Sequence, residues 1–351
     1  MICLKKNFPM KRSGVIILAL WLFSSLLFSQ SEVRTPLAPI AKEFAGILSF
    51  LSSDWMEGRE AGTRGNYMAA DYIASMMNLS GLAPYGDPDT LSPGLTDRRQ
   101  SRKPFHRMYF QNFEMKLYWT EEIGPYVLVL GKPGSVVISN VIGVILGKDS
   151  TRSIVVGAHY DHLGIRDGQI YNGSDDNASG VSGMLALAKN WYETGEQPPC
   201  NIIFAAWNGE EEGCLGSHYF VKHTGANPDM VSTYINMDMI SRSAPEDTSG
   251  RQLSIGTLPA DERLRQIARD GSLRLAHPFK LDLWDVTGHT GSDYSSFIAQ
   301  NIPVMTFFSG FHADYHKPGD DAEKADLQKM QDILKIVNDC LGQIINRLPV
   351  K

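Results

Sequence analysis

Residues 154–161 read IVVGAHYD, a short apolar run that ends in the polar side chains of His159 and Asp161. An uninterrupted apolar run of this length predicts a β-strand buried on both faces, which is typical of a parallel sheet. Two later apolar runs, 202–206 and 234–237, are also followed by acids, and these are Glu210, Glu211 and Asp238. Because parallel strands present the side chains at their carboxyl ends to one crevice, we expect these groups to lie close together.

Helical patterns alternate with strand-like runs, most regularly beyond residue 150. The predicted helices are 40–51, 66–79, 181–191, 217–223, 261–268, 292–299 and 327–348. The predicted strands are 108–118, 124–131, 137–146, 153–158, 202–206, 234–237 and 303–308, and residues 83–104 are expected to form a surface excursion. This order predicts an α/β fold with a mixed, largely parallel central sheet, an antiparallel edge and helices on both faces. We expect residues 31–351 to form a single domain.

The first 30 residues have the pattern of an export signal. Four basic residues, the last of them Arg12, precede the uncharged apolar run 15–28. This run is short for a membrane span and typical of a signal peptide, although an uncleaved anchor is the alternative. We therefore expect a signal peptide at residues 1–30, a periplasmic or extracellular location, and no stable membrane span after cleavage.

The charge of the chain argues against a nucleic-acid partner. The whole sequence has 33 basic and 39 acidic residues, and residues 1–30 contain four of the basic ones and none of the acidic ones. The remainder, with 29 basic against 39 acidic residues, has a formal net charge of −10 and no basic stripe. Its three cysteines, Cys200, Cys214 and Cys340, are expected to be packed thiols that bind no metal.

His159 and Asp161 lie two residues apart, so in an extended strand their side chains share a face. Asp161 can then hydrogen-bond the imidazole and fix the tautomer that a metal ligand needs. A buried histidine satisfied by a carboxylate explains the same pair without a metal. The pair therefore needs support from the other polar groups.

Asp176 belongs to a polar, glycine-flanked run, 172–180, that opens a predicted helix. Asp, Asn and Ser are frequent helix N-caps, so capping is the ordinary interpretation. Two adjacent acids, Asp175 and Asp176, exceed what a cap requires. A carboxylate at this position can bridge two cations with its two oxygens.

Three glutamates, residues 210–212, directly follow the apolar run 202–206. On a solvated loop they would be ordinary surface charge, but at the end of a buried strand they repel one another unless a cation neutralises them. One of them can bind a metal while its neighbour takes a proton from water. Asp238 alone is weak evidence, because strands commonly end in Asp.

Two histidines, His312 and His316, follow the last predicted strand, and by position either could bind a metal. Imidazole nitrogens combined with carboxylate oxygens suit zinc. His162 is expected to line the pocket or to support a ligand, not to bind metal. His289 lies between glycines near Asp293, and we expect that it or His312 could contact a substrate.

Together these stretches resemble the M28 family of zinc exopeptidases, which includes bacterial aminopeptidases and is similar in fold to glutaminyl cyclases. The matching stretches follow the order of the family and are 51–63, 157–164, 173–180, 208–217, 237–239, 291–297 and 316–318. They cover most of residues 40–340. One departure is Tyr294, because many relatives have His at this position.

The resemblance implies a role for each of the polar groups. Asp176 would bridge two zinc ions. Glu211 and His316 would complete one zinc site, and His159 and Asp238 the other. Glu210 would be the general base, and Asp161 would orient His159. The peptide bond between Asp176 and Asn177 is expected to be cis, as it is in relatives.

The expected function is therefore a zinc-dependent aminopeptidase that hydrolyses N-terminal residues from peptides through a metal-activated water molecule. The alternative on the same fold is a glutaminyl-peptide cyclotransferase, which would use one zinc ion instead of two. A non-catalytic binding module is disfavoured because every ligand position carries a competent donor. The sequence leaves open the preferred residue, carboxypeptidase or dipeptidase action and the oligomeric state.

Overall fold

The computed structural model describes residues 33–88, 109–117 and 134–347. The predicted signal peptide, the predicted strand 124–131 and most of the predicted surface excursion lie outside these residues. The helices are α1 (Ala41–Leu51), α2 (Arg64–Leu79), α3 (Gly180–Glu193), α4 (Leu215–Thr224), α5 (Glu262–Leu273), α6 (Tyr294–Ile298) and α7 (Leu327–Arg347). Each of the seven predicted helices is confirmed, with ends that differ by a few residues.

The strands are β1 (Ala83–Pro84), β2 (Phe110–Leu117), β3 (Gly134–Ile145), β4 (Asp149–His159), β5 (Gly164–Arg166), β6 (Gln169–Tyr171), β7 (Cys200–Trp207), β8 (Val231–Met237), β9 (Gln252–Thr257), β10 (Lys280–Asp285) and β11 (Val304–Phe308). The main sheet has the order β1-β3-β7-β4-β8-β11-β9-β10, and β2 also pairs with β3. β5 and β6 form a separate hairpin.

The centre of the main sheet is parallel. β7, β4, β8 and β11 are neighbours that run in the same direction. β3 joins β7 antiparallel at one side, and β9 joins β11 antiparallel at the other. The predicted mixed sheet with a parallel centre and an antiparallel edge is therefore confirmed.

Alternate residues of the central strands enter two separate cores. In β4, Ile154 and Val156 belong to the larger core, whereas Val155 belongs to the smaller one on the opposite face. The larger core is completed by α1, α2, α3, α5 and α7, and the smaller core by α4 and α6. This burial on both faces explains why the central strands read as continuous apolar runs.

The sequence prediction lacked three strands of the main sheet, β1, β9 and β10, and β1 lies where the surface excursion was predicted to begin. β10 is an edge strand, and its side chains alternate between exposed and partly buried positions from Lys280 to Leu283. Such a strand has no continuous apolar run, and only the alternation of its side chains marks it. These strands extend the sheet beyond the region that carries the candidate site.

Two further sequence expectations concern the thiols and the membrane. Cys200, Cys214 and Cys340 are buried and unpaired, as expected. Within the three described ranges, no helix has both the length and the apolar composition needed to cross a bilayer.

Candidate metal centre

The candidate centre lies at the carboxyl ends of the four parallel strands. β4 ends at His159, and β8 ends one residue before Asp238. The loop after β7 carries Glu210 and Glu211, and the segment after β11 carries His316. The parallel direction of the strands brings these residues to one edge, as the sequence predicted.

One group of possible ligands surrounds His159. Its Nε2 atom lies 3.3 Å from Oδ1 of Asp176 and 3.4 Å from Oδ1 of Asp238. His159 and Asp176 are buried, and Asp238 is partly buried. The second oxygen of Asp238 accepts a hydrogen bond of 2.6 Å from the hydroxyl of Ser292, which leaves Oδ1 directed at His159.

A second group shares Asp176 with the first. Nε2 of His316 lies 3.1 Å from Oδ2 of Asp176 and 3.4 Å from Oε2 of Glu211. The two oxygens of Asp176 therefore face two different histidines. The side chain of His316 is 36% exposed, so this side of the centre is open to solvent.

The spacing of these atoms fits zinc. Ligands at the usual zinc distances in a tetrahedral arrangement lie roughly 3.3 Å from one another. The four separations around His159 and His316 range from 3.1 to 3.4 Å. Both groups combine imidazole nitrogens with carboxylate oxygens, a donor set that zinc accepts. The side chains present therefore fit zinc, and Asp176 belongs to both groups.

The electrostatics of these side chains also favour a bound cation. Burial, together with the charge of Asp176, raises the pKa of Glu211 to about 8. Burial also raises the pKa of Glu210 well above its usual range. Although burial alone would lower the pKa of His159, the surrounding carboxylates, Asp238 first, raise it well above its usual value. Several carboxylates thus lie close together in a buried site, an arrangement that a bound cation would stabilise.

A match to a family model identifies the protein family of this chain. Residues 140–341, more than half of the chain, match the model described as peptidase family M28. The chain belongs to peptidase family M28. The resemblance stated from the sequence is thereby confirmed.

The curated sequence relatives of this M28 chain include proteins named as peptidases. It is 30% identical over 179 residues to leupeptin-inactivating enzyme 1 of Streptomyces exfoliatus, a match that covers 51% of this chain and 37% of that protein. The chain spans well under half the length of the curated relatives it matches.

Two solved structures show the same fold at low identity. The zinc aminopeptidase BSAP from Bacillus subtilis has a TM-score of 0.61 at 17% identity, with 91% of this chain and 98% of that chain covered. Glutaminyl cyclase from Porphyromonas gingivalis has a TM-score of 0.65 at 15% identity, with 88% of this chain and 100% of that chain covered.

The turn Ser174–Ser179 presents the shared acid of this M28 centre. The peptide bond between Asp176 and Asn177 is cis, as expected from the resemblance. The main-chain N–H groups of Asp175 and Asp176 donate to Oδ2 of Asp320, at 3.0 and 3.1 Å. Asp320 was not among the predicted site residues, because 144 residues separate it from Asp176 and the sequence gives no register between the two segments.

The predicted contact between the carboxylate of Asp161 and the ring of His159 is wrong. Nδ1 of His159 lies 3.2 Å from the main-chain oxygen of Asp161 but 3.8 Å from its Oδ1, which is too long for a hydrogen bond. β4 ends at His159, so the two side chains do not share a strand face. The carboxylate instead accepts the main-chain N–H groups of Glu210 and Glu211, both at 3.2 Å. Its side chain therefore holds the glutamate loop.

His162, which was expected to line the pocket or to support a ligand, directly contacts one of the predicted ligands. Its Nδ1 atom is 2.8 Å from Oε1 of Glu211 and 3.8 Å from Oδ2 of Asp176. The first separation is a hydrogen-bond length and shorter than the spacing of two zinc ligands, whereas His316 has ligand spacing to both acids. Burial lowers the pKa of His162 to about 4, so the neutral ring can donate to Glu211.

His312 does not lie at the pocket rim, where a contact with substrate was expected. It is buried, and its Nε2 atom lies 3.6 Å from both Asp175 and Asp320. It therefore packs behind the turn that carries Asp176. His289 is exposed and packs edge-on against Trp284, with ring centroids 5.1 Å apart. A contact of His289 with substrate stays a prediction.

Tyr294, the departure from the family pattern, packs edge-on against Trp284 with ring centroids 5.9 Å apart. Its neighbour Asp293 is fully buried, and burial raises the pKa of this carboxyl to about 7. The tyrosine ring is buried and belongs to the smaller core.

Proposed function

We propose that this chain is a zinc-dependent aminopeptidase that removes N-terminal residues from peptides. The observation that carries the proposal is the position of Asp176, whose two oxygens lie within ligand spacing of His159 and His316. Membership of peptidase family M28 supports a hydrolase that acts on peptides. Asp238 and Glu211 would complete the two zinc positions.

In this proposal Glu210 is the general base. When bound, two zinc ions would polarise the scissile carbonyl and make a water molecule acidic enough to lose a proton near neutral pH. Glu210 takes that proton and returns it to the leaving amine. Because burial raises the pKa of its carboxyl, Glu210 binds a proton more readily than an exposed glutamate does. Asp161 holds the main-chain N–H of Glu210 and so places this carboxyl.

A Glu210→Gln variant tests the base. The amide cannot accept the proton, so hydrolysis of an aminoacyl reporter should fall by roughly 10²–10⁴-fold while two zinc ions per chain are retained. Glu212→Gln is the matched control, because it makes the same change two residues away. Glu212 belongs to neither group of possible ligands, so its replacement should leave both the turnover and the bound zinc unchanged. Turnover by Glu210→Gln equal to that of the control would exclude Glu210 as the base.

The alternative, cyclisation of N-terminal glutamine, receives less support. The solved cyclase shares the fold at 15% identity, whereas the family match and the curated relative from Streptomyces concern peptidases or an enzyme named for inactivating leupeptin. Two assays separate the functions. An aminopeptidase should release a reporter from aminoacyl substrates and hold two zinc ions, while a cyclase should convert an N-terminal Gln peptide without cleaving it and hold one.

We also propose that residues 1–30 direct export to the periplasm or the extracellular space and are then removed. The basic residues followed by a short apolar run support this proposal. Sequencing the amino terminus of the protein from the culture medium or the periplasm tests it. A protein that stays in the cytoplasm with residue 1 retained would overturn it.

A further inference from the structure

Arg59 is a fully buried cation beside the candidate centre. It ends the short helical segment Asp54–Arg59, within the stretch 51–63 that contributed to the family resemblance, and its side chain is shielded from solvent. The proposed roles of the acids and histidines give no function to this guanidinium. Its contacts suggest one.

Three nitrogens of Arg59 bind main-chain oxygens on both sides of the centre. Nε donates to Tyr160 at 2.8 Å, Nη1 to Asn172 at 2.7 Å, and Nη2 to Gly173 at 2.9 Å. Nη1 also donates to Leu51 at 2.5 Å, which fixes the guanidinium to α1.

These oxygens belong to the two segments that carry His159 and Asp176. Tyr160 directly follows His159, at the end of β4. Asn172 and Gly173 lie immediately before the turn that presents Asp176. The main-chain oxygen of Arg59 also accepts the N–H of His162 at 3.3 Å, so its backbone adds a second contact to the segment that follows β4.

The positive charge of Arg59 lies near the acids of the centre but forms no hydrogen bond with their carboxylates. Its hydrogen bonds in the described part of the chain go to main-chain oxygens, and none goes to a carboxylate. Burying a guanidinium without an acid partner is unfavourable. Burial lowers the pKa of Arg59 to about 10, and the charges of Asp176 and Asp161 oppose this shift. The acids of the centre are thus the groups that offset the buried cation.

We propose that Arg59 is a positioning residue that sets the distance between His159 and Asp176 and offsets the repulsion among the acids before zinc binds. This inference rests on the zinc site of the proposed function. A neutral side chain of the same length would leave four main-chain oxygens without their donors and the acids without a nearby buried cation. Loss of the guanidinium should therefore weaken zinc binding even where the protein stays folded.

The test measures zinc affinity by competition with a chromophoric chelator, together with thermal unfolding of the metal-free protein. Arg59→Met keeps the length and removes charge and donors, and its zinc affinity should fall roughly ten- to a hundredfold. Arg59→Lys keeps the charge but has one nitrogen where Arg uses three, so its affinity should lie between those of Arg59→Met and the wild type. Leu341→Ala is the control for lost stability, because Leu341 is fully buried in α7.

The control should unfold at a lower temperature and keep wild-type zinc affinity at a temperature where it is folded. Wild-type zinc affinity in folded Arg59→Met would overturn this inference and leave the proposed function intact. If Arg59→Met does not fold, wild-type affinity in Arg59→Lys would do the same. A wild-type protein that binds no zinc would overturn the proposed function, and the inference with it.

Discussion

Two replacements of Asp320 distinguish the contributions of two contacts that this residue makes. Oδ2 accepts the main-chain N–H groups of Asp175 and Asp176, and Oδ1 lies 3.3 Å from Nη1 of Arg242. Asp320→Ala removes both contacts. Asp320→Asn can keep its amide oxygen at the position of Oδ2, so the two N–H groups retain their acceptor and the ion pair with Arg242 is lost.

The expected energies follow from burial. Two buried N–H groups without an acceptor cost about 3 kcal/mol together. The partly buried ion pair with Arg242 contributes about 1 kcal/mol. Burial raises the pKa of Asp320, so removal of its charge favours folding, but this gain is common to both variants and cancels in their comparison. We therefore expect Asp320→Ala to be less stable than Asp320→Asn by about 2 kcal/mol or more.

Urea unfolding of the chelator-treated proteins measures this difference. For a domain of more than 300 residues, about 2 kcal/mol corresponds to a change in Tm of roughly 3 °C, which a thermal scan would also resolve. Equal midpoints for the two variants, or a less stable Asn variant, would refute the assignment of the two N–H groups as the main contribution of Asp320.

Three further changes test other parts of the structure. His316→Asn should reduce bound zinc from two ions to one after dialysis, whereas His289→Asn should keep both, as measured by metal analysis; two ions in the first variant would contradict the ligand assignment. Gly58→Ala should destabilise the protein by about 3 kcal/mol, because a Cβ there would overlap the main-chain oxygen of Gly164. Gly168→Ala, at a similar positive φ but in open space, should cost only about 1 kcal/mol in the same denaturant titration. Although Asp247 is buried, hydrogen bonds from the N–H of residue 252 and a nearby hydroxyl hold its pKa well below the usual range, so its contribution to stability should be present above about pH 4 and lost as the pH falls further. Asp247→Asn should accordingly lose less stability than the wild type between pH 6 and pH 3, and equal losses would contradict this account.

The parts of the centre that follow parallel strands could be predicted from the sequence. The end of a strand buried on both faces is visible in the sequence as the end of an apolar run. The first polar residues after such parallel strands lie at one edge of the sheet. This rule is sufficient to group His159, Glu210, Glu211 and Asp238. The choice of His316 over His312 needed the family resemblance, because both follow the same strand and the sequence alone does not show which of them turns inward.

Contacts that depend on the backbone beyond the strand ends could not be predicted. The rule that alternate residues share a face applied to Asp161 only as long as β4 continued, and β4 ends two residues earlier. Arg59 is 101 residues from Tyr160 and 113 from Asn172, so no local pattern connects them. Edge strand β10 was missed because one of its faces is open to solvent and it has no continuous apolar run.

The supporting contacts of Asp161, Asp320 and Arg59 share one chemical property, which explains why these three residues differ from the ligands in sequence pattern. Asp161 and Asp320 receive main-chain N–H groups, and Arg59 donates to main-chain oxygens, so each fixes the backbone of a ligand-bearing segment and leaves the ligand side chain free. A side-chain contact to the same ligands would compete with a cation for their lone pairs. Main-chain contacts avoid this competition and still limit how far the acids can move apart under their mutual repulsion. In the proposed enzyme the backbone is thereby held in place before zinc binds, and the carboxylates and imidazoles keep the donor atoms that zinc requires.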